Sequence, residues 1–248
     1  MNRNILILGG TTEAYRLAEA LALRAGLRVV TSLAGRTSQP RLPAGESRIG
    51  GFGGSAGLRA YLREQGIQGV VDATHPFAAT MGWNAQRGCA AAGVPLLRLE
   101  RPPWVAAPED RWESVADWEQ AVAALRCGGA RRVFLAVGRQ DLGPFAALDD
   151  TWFLVRAVTP PDPMPPLHAC RLLLARGPFD LEGERALLRH HRIDALVCKN
   201  SGGDATQAKL VAARELGVRV IMRRRPERPV LPAASSVEAA VAWVEALL

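Results

Sequence analysis

Brief apolar runs alternate along this chain with longer stretches in which apolar side chains return every three or four positions, and that alternation predicts its elements. The run at 4–8 leads into a stripe of Ala14, Leu17, Ala18, Leu21 and Ala22, which predicts a helix over 12–25 closed by Gly26. Strands at 28–32, 47–50, 69–72 and 94–99 and helices at 55–65 and 78–92 continue the series. Most of these strands are apolar throughout, not at every second position, as in parallel sheets covered on both faces. From 100 to 113 the pattern lapses, with Pro102, Pro103, Pro108, Trp104 and Trp112, and this stretch reads as a linker. A second series follows: helix 117–125, strand 132–137, strand 152–156, a proline loop at 159–166 and strand 171–175. Helix 181–190, strand 195–198, helix 206–216, strand 218–222 and helix 237–247 complete it. The chain therefore reads as α/β, with one unit over 1–100 and another over 101–248, and no repeat beyond that shared architecture.

Composition narrows the setting. The chain has 248 residues, 48% hydrophobic and 22% charged, as expected of a globular protein with ample core. No apolar run approaches the roughly 18–20 residues of a membrane span, and no signal peptide is evident, so a cytoplasmic, membrane-free protein is expected. Cys89, Cys127, Cys170 and Cys198 form no CxxC pair and read as buried free thiols; no metal-ligand spacing is present. The net charge is +7, and Lys199 and Lys209 are the only lysines, so arginine supplies nearly all the positive charge. Arginine forks pair bidentately with carboxylates, which suits a polycarboxylate small molecule; a solvated basic surface is the plain alternative. Nucleic acid is disfavoured by 6% aromatics and the lack of a recognisable motif.

Candidate chemistry collects where strands end. Gly9-Gly10-Thr11-Thr12-Glu13 joins the first strand to the first helix, where backbone N–H groups converge in a way that suits phosphate. The spacing is neither GxGxxG nor GK[ST], so an ordinary turn competes; its position as the first βα turn favours a dinucleotide. NAD-binding folds place a carboxylate about 20 residues further on, whereas here the second strand ends in Ser32, with Arg36 nearby. A hydroxyl and a guanidinium suit a 2′-phosphate, so a dinucleotide bound here would be NADPH. Past Asp72, Thr74-His75-Pro76 lies on the same sheet edge, and His75 is suited either to donate a proton or to cap the next helix. Lys199-Asn200-Ser201-Gly202-Gly203 repeats the opening order of strand, polar glycine turn and helix. Lys199 leaves a buried strand and calls for an anion or a cleft. Arg139 and Arg176 also follow strands, and a structural salt bridge competes with ligand binding for each.

Six motifs in order, ILILGGTTEA from Ile5, SLAGRT from Ser32, GGFGG from Gly50, DATHPFA from Asp72, RGPF from Arg176 and KNSGG from Lys199, resemble the precorrin-6A reductase family of cobalamin biosynthesis. AKLVAAREL from Ala208 and VIMRRRP from Val220 extend the resemblance over nearly the whole chain. It implies two Rossmann-like domains with a ligand cleft between them, and NADPH-dependent reduction of one double bond of precorrin-6A to give precorrin-6B. It also implies roles. Gly9, Gly10, Thr11 and Thr12 would hold the pyrophosphate, Ser32, Arg36 and Thr37 the 2′-phosphate, and Thr74, His75 and Pro76 the nicotinamide side. Asn200, Ser201, Gly202, Gly203, Arg139 and Arg176 would grip substrate carboxylates or the far side of the cofactor. His75, Lys199 or water would supply the proton that follows the hydride, and no metal is required. A cobalt-precorrin-6A reductase and a non-catalytic tetrapyrrole binder are the alternatives. A short-chain reductase would want Tyr-xxx-Lys, but Glu19 and Gln65 stand four positions after Tyr15 and Tyr61. The oligomeric state stays open, a monomer being the simpler reading.

Overall fold

The computed structural model describes residues 3–35 and 42–247, in two compact units. One comprises residues 1–102 together with 226–248, and the other residues 103–225. The first opens with β1 (Arg3–Leu8), α1 (Thr12–Ala22), β2 (Leu27–Leu33), β3 (Glu46–Ile49) and α2 (Gly54–Glu64). It continues through β4 (Ile67–Asp72), α3 (Ala79–Ala92) and β5 (Leu96–Leu99). The second unit contains β6 (Trp112–Val115), α4 (Trp118–Cys127), β7 (Arg132–Ala136), a 3-10 turn (Gly143–Ala147), β8 (Trp152–Ala157) and β9 (Ala169–Leu174). It then adds α5 (Leu181–His190), β10 (Ala195–Lys199), a 3-10 turn (Asp204–Thr206), α6 (Ala208–Glu215) and β11 (Arg219–Arg223). Finally β12 (Ala233–Ala234) and α7 (Val237–Ala246) return to the first unit.

Among the described residues both sheets have six strands, parallel throughout, in the orders β12-β5-β4-β1-β2-β3 and β6-β11-β10-β7-β8-β9. Read from the other edge, each is the 3-2-1-4-5-6 order of a Rossmann fold. The sixth strands are exchanged in chain order. β6 follows β5 yet pairs with β11, and β12 follows β11 yet pairs with β5. This corrects the expectation of a second unit running over 101–248, because the last strand and helix are spent on the first sheet. It also corrects the linker reading, since residues 112–115 are an edge strand.

The same logic packs both units. In the first, Ile5, Ile7 and Val71 face α1 and α7, while Leu6, Leu8 and Val70 face α2 and α3. In the second, Leu135, Phe153 and Val197 face α4 and the first 3-10 turn, while Phe134, Leu154 and Leu196 face α5 and α6. The exchanged helices carry the same sequence pattern. Asp117 accepts the N–H of Gln120 at 2.8 Å and Ser236 that of Ala239 at 3.2 Å, each as an N-cap. Each cap is followed by an apolar residue, a glutamate, one variable position and Ala-Val-Ala, so a short internal repeat exists after all. Of the four thiols, Cys89 and Cys198 are buried, but Cys127 and Cys170 are exposed, contrary to expectation. Burial pushes the Cys89 thiol up to about 12 and that of Cys198 to about 11.

Candidate functional site

In the first unit the connections diverge between β1 and β4, and the crevice at their C-terminal ends is where such sheets take ligands. Gly9 and Gly10 leave β1, and Gly10 has φ +113°, a region open to glycine. A Cβ on Gly9 would meet Thr31 Cγ2 at 2.8 Å, so the backbone needs glycine there to lie this close to β2. Thr11 caps α1 by accepting the Ala14 N–H at 3.2 Å, and its hydroxyl donates to Ala73 O at 2.8 Å. The cap therefore also fastens the turn to the end of β4. Thr12 is exposed at the helix start, and Glu13 in that first turn is neutralised by Arg101 at 2.6 Å. Thr11, Thr74, Pro76, Leu99 and Arg101 line an indentation here.

Asp72, wholly buried at the end of β4, organises the neighbouring loop. Its carboxylate accepts from the Thr74 hydroxyl at 2.6 Å, the Thr74 N–H at 3.2 Å and Arg228 Nη2 at 2.6 Å. Arg228 arrives from the returning segment and also bonds Thr74 Oγ1 and Glu100. A Cβ at position 82 would come within 2.9 Å of Arg228 Nε, so Gly82 on α3 makes room for it. Arg98 stands 3.7 Å from Asp72 and donates to Pro229 O at 2.9 Å. Burial and the charge of Arg228 press the Arg98 pKa down, while Asp72 and Glu100 oppose the change. His75 accepts the Phe77 N–H on Nδ1 at 3.2 Å, and its carbonyl accepts the Ala78 N–H at 2.7 Å. The imidazole thus shapes the turn before α3, and the neutral ring carries its proton on Nε2.

At the end of β2 the buried Ser32 is paired in register with Arg48 on β3. Arg48 Nη1 donates to Ser32 Oγ at 2.8 Å. Sequence reasoning missed Arg48; its signal was a cation one strand over from Ser32 and immediately before the glycine-rich 50–54. Arg36 and Thr37 lie outside the described residues. The open turn, the glycines and the absence of a carboxylate from β2 fit a dinucleotide, including one with a 2′-phosphate.

The second unit fills the matching crevice, between β7 and β10, differently. After β7 come Gly138 at φ +88°, the half-buried Arg139 and Asp141, followed by a 3-10 turn in place of an α-helix. Asp141 accepts from Lys199 Nζ at 2.5 Å and Trp118 Nε1 at 2.8 Å, with Arg223 at 3.7 Å. A carboxylate here does not fit a second dinucleotide phosphate. The structure also corrects the placement of the second glycine turn. It follows the fourth strand of its sheet, so Lys199–Gly203 corresponds to Asp72–Pro76 and not to Gly9–Thr12. Asn200 is spent on Trp104, its side chain accepting the Trp104 N–H at 2.8 Å and donating to its carbonyl at 3.0 Å. Gly203 O accepts Trp104 Nε1 at 3.0 Å, and Arg225 donates to the carbonyls of Asn200 and Ser201. Gly202 and Gly203 both have positive φ, so this loop needs its glycines. Arg176 is exposed after β9, in a loop held by Phe179 stacked at 4.0 Å on Arg156, itself paired with Glu184 at 2.7 Å.

Two parallel sheets of this order, one with an open turn at its switch point, define a Rossmann-type protein. A model of the family described as precorrin-6x reductase CbiJ/CobK matches residues 4–245. A precorrin-6A reductase of Rhodococcus erythropolis is 51% identical over 246 residues, spanning 98% of each chain. One from Mycobacterium tuberculosis is 48% identical over the same length, again spanning 98% of each. A cobalt-precorrin-6A reductase of Priestia megaterium is 30% identical over 236 residues, covering 90% of this chain and 91% of the other. A solved structure of CobK precorrin-6A reductase superposes with a TM-score of 0.93 at 46% identity, covering 99% of this chain and 97% of that one. The chain belongs to the precorrin-6x reductase family of cobalamin biosynthesis. Family and fold together point to a nicotinamide cofactor. No helix among the described residues is long and apolar enough to cross a membrane.

Proposed function

We propose that this chain uses NADPH to reduce one carbon–carbon double bond of metal-free precorrin-6A, giving precorrin-6B. The observation that carries the cofactor choice is the end of β2, where Ser32 and a neighbouring guanidinium stand in place of a ribose-binding carboxylate. The metal-free substrate is supported by 51% identity to a precorrin-6A reductase against 30% to a cobalt-precorrin one.

In this reading Gly9 to Thr12 offer backbone N–H groups to the pyrophosphate, and the Thr11 cap keeps that turn rigid. When bound, the nicotinamide supplies the hydride. Asp72 and Arg228 hold Thr74 to Pro76 as its wall, which supplies orientation and not chemistry. The substrate's acetates and propionates suit cations at the C-terminal edge of the second sheet, where Arg176 is exposed and Arg139 half-buried. Lys199 serves that edge through Asp141, and the Asn200 to Gly203 loop through its backbone. The proton for the carbon beside the one reduced comes from His75, Lys199 or water; His75 gives it only as the imidazolium, which gives up the Phe77 N–H bond on Nδ1. Anaerobic incubation with precorrin-6A and either NADPH or NADH, followed by chromophore absorbance, is expected to show turnover with NADPH. No spectral change with either cofactor would refute the activity.

A further inference from the structure

Arg48 differs from the other arginines around the first crevice in having no acidic partner among the described residues. Arg28 on β2 is held by Glu46 at 2.7 Å, Arg101 by Glu13 and Arg228 by Asp72. Arg48 is half-buried, yet its acceptors are all neutral: Ser32 Oγ at 2.8 Å, Gly50 O at 3.0 Å and Gly51 O at 3.1 Å. Among the described residues no carboxylate pairs with it. Its guanidinium lies over the Phe52 ring, 3.9 Å from the centroid, with Tyr61 at 5.1 Å. Phe52 and Tyr61 meet edge to face at 5.2 Å, so this platform is itself fixed. The three hydrogen bonds leave Nε and one Nη2 hydrogen as remaining donors.

A preoriented, uncompensated fork beside the end of β2 is what a phosphate on the ribose 2′ position requires. We propose that Arg48 reads the 2′-phosphate of NADPH and sets the preference over NADH, with Ser32 and Phe52 as its positioning residues. This rests on the reading that the first unit binds NADPH. It assigns the selectivity to β3, where the sequence had pointed to Arg36.

The test is direct titration of the whole protein with NADPH, NADH, 2′,5′-ADP and 5′-AMP, for the native chain and for Arg48→Leu, Arg48→Lys and Phe52→Leu. Losing a charge-assisted pair should raise the NADPH and 2′,5′-ADP dissociation constants by about tenfold to a hundredfold in Arg48→Leu. NADH and 5′-AMP should stay within about twofold, Arg48→Lys should recover part of the loss, and Phe52→Leu should give a smaller selective loss. Equal weakening of all four ligands, or an unchanged NADPH preference in Arg48→Leu, would overturn the assignment while sparing the cofactor reading. A native chain that binds NADPH and NADH equally would overturn both. If Arg48→Leu does not fold, salt dependence in the native chain decides. The 2′-phosphate ligands should weaken more steeply than their counterparts, and parallel slopes would count against Arg48.

Discussion

The two sheets share an order but close their crevices with opposite chemistry. In the first, a neutral hydrogen bond from Thr11 to Ala73 joins the ends of β1 and β4 and leaves the turn open to an anion. In the second, the ion pair of Asp141 with Lys199 joins the ends of β7 and β10, and the carboxylate occupies the ground a phosphate would need. The difference extends to the loop after the fourth strand. Asp72 is wholly buried and locked by Arg228, whereas Asp141 and Lys199 keep 25% and 20% of their side chains exposed. One Rossmann half thus keeps the nucleotide geometry while its counterpart turns that edge into a charged rim.

Breaking the two carboxylates should show the largest contrast. Asp72→Ala strands Arg228 and Arg98 in the interior and should cost about 3–5 kcal/mol, read as a large fall in Tm and loss of NADPH binding. Asp141→Ala leaves partly hydrated cations and should cost no more than about 1 kcal/mol. Comparable losses would erase the distinction. The glycines come next. Gly9→Ala puts a Cβ 2.8 Å from Thr31 Cγ2 and should weaken NADPH about tenfold in a binding titration, the equivalent of about 1.4 kcal/mol. Gly138→Ala should cost about 1–2 kcal/mol of stability for its positive φ, with no change in cofactor affinity.

The smallest effect is an acid sensitivity at His191 in the second unit. Burial, then the charges of His190, Arg171 and Arg132, hold the His191 pKa below its ordinary 6.5. Below that pH the unfolded chain takes up a proton that the folded one resists, so stability is complete above 6.5 and declines as pH falls. A Tm series from pH 7.5 to 5.5 should show a decline that His191→Gln reduces.

Much of this was legible in the sequence because buried parallel strands advertise themselves as continuous apolar runs. β1, β4, β7 and β10 are central and buried on both faces, and each stood out. β6 and β12 did not, because one is a half-exposed edge strand and the other has two residues. The repeat they introduce was hidden by most of the second unit lying between its copies. At the site, Gly9 to Thr12 could be read from the turn's place in the fold. Arg48 could not, because its meaning depends on the register of β3 against β2, which no spacing within a single segment reveals.

The exchange of sixth strands has a consequence in time. Synthesis proceeds from residue 1, and N-terminal domains ordinarily fold as they emerge. Here β5 has no outer neighbour, and Ile5, Leu17 and Leu97 lack the cover of Ala240 and Val244, until residues 226–247 have been made. The unit begun first is therefore finished last, after the complete second unit, and until then β5 is an unprotected sheet edge of the kind that invites wrong pairing.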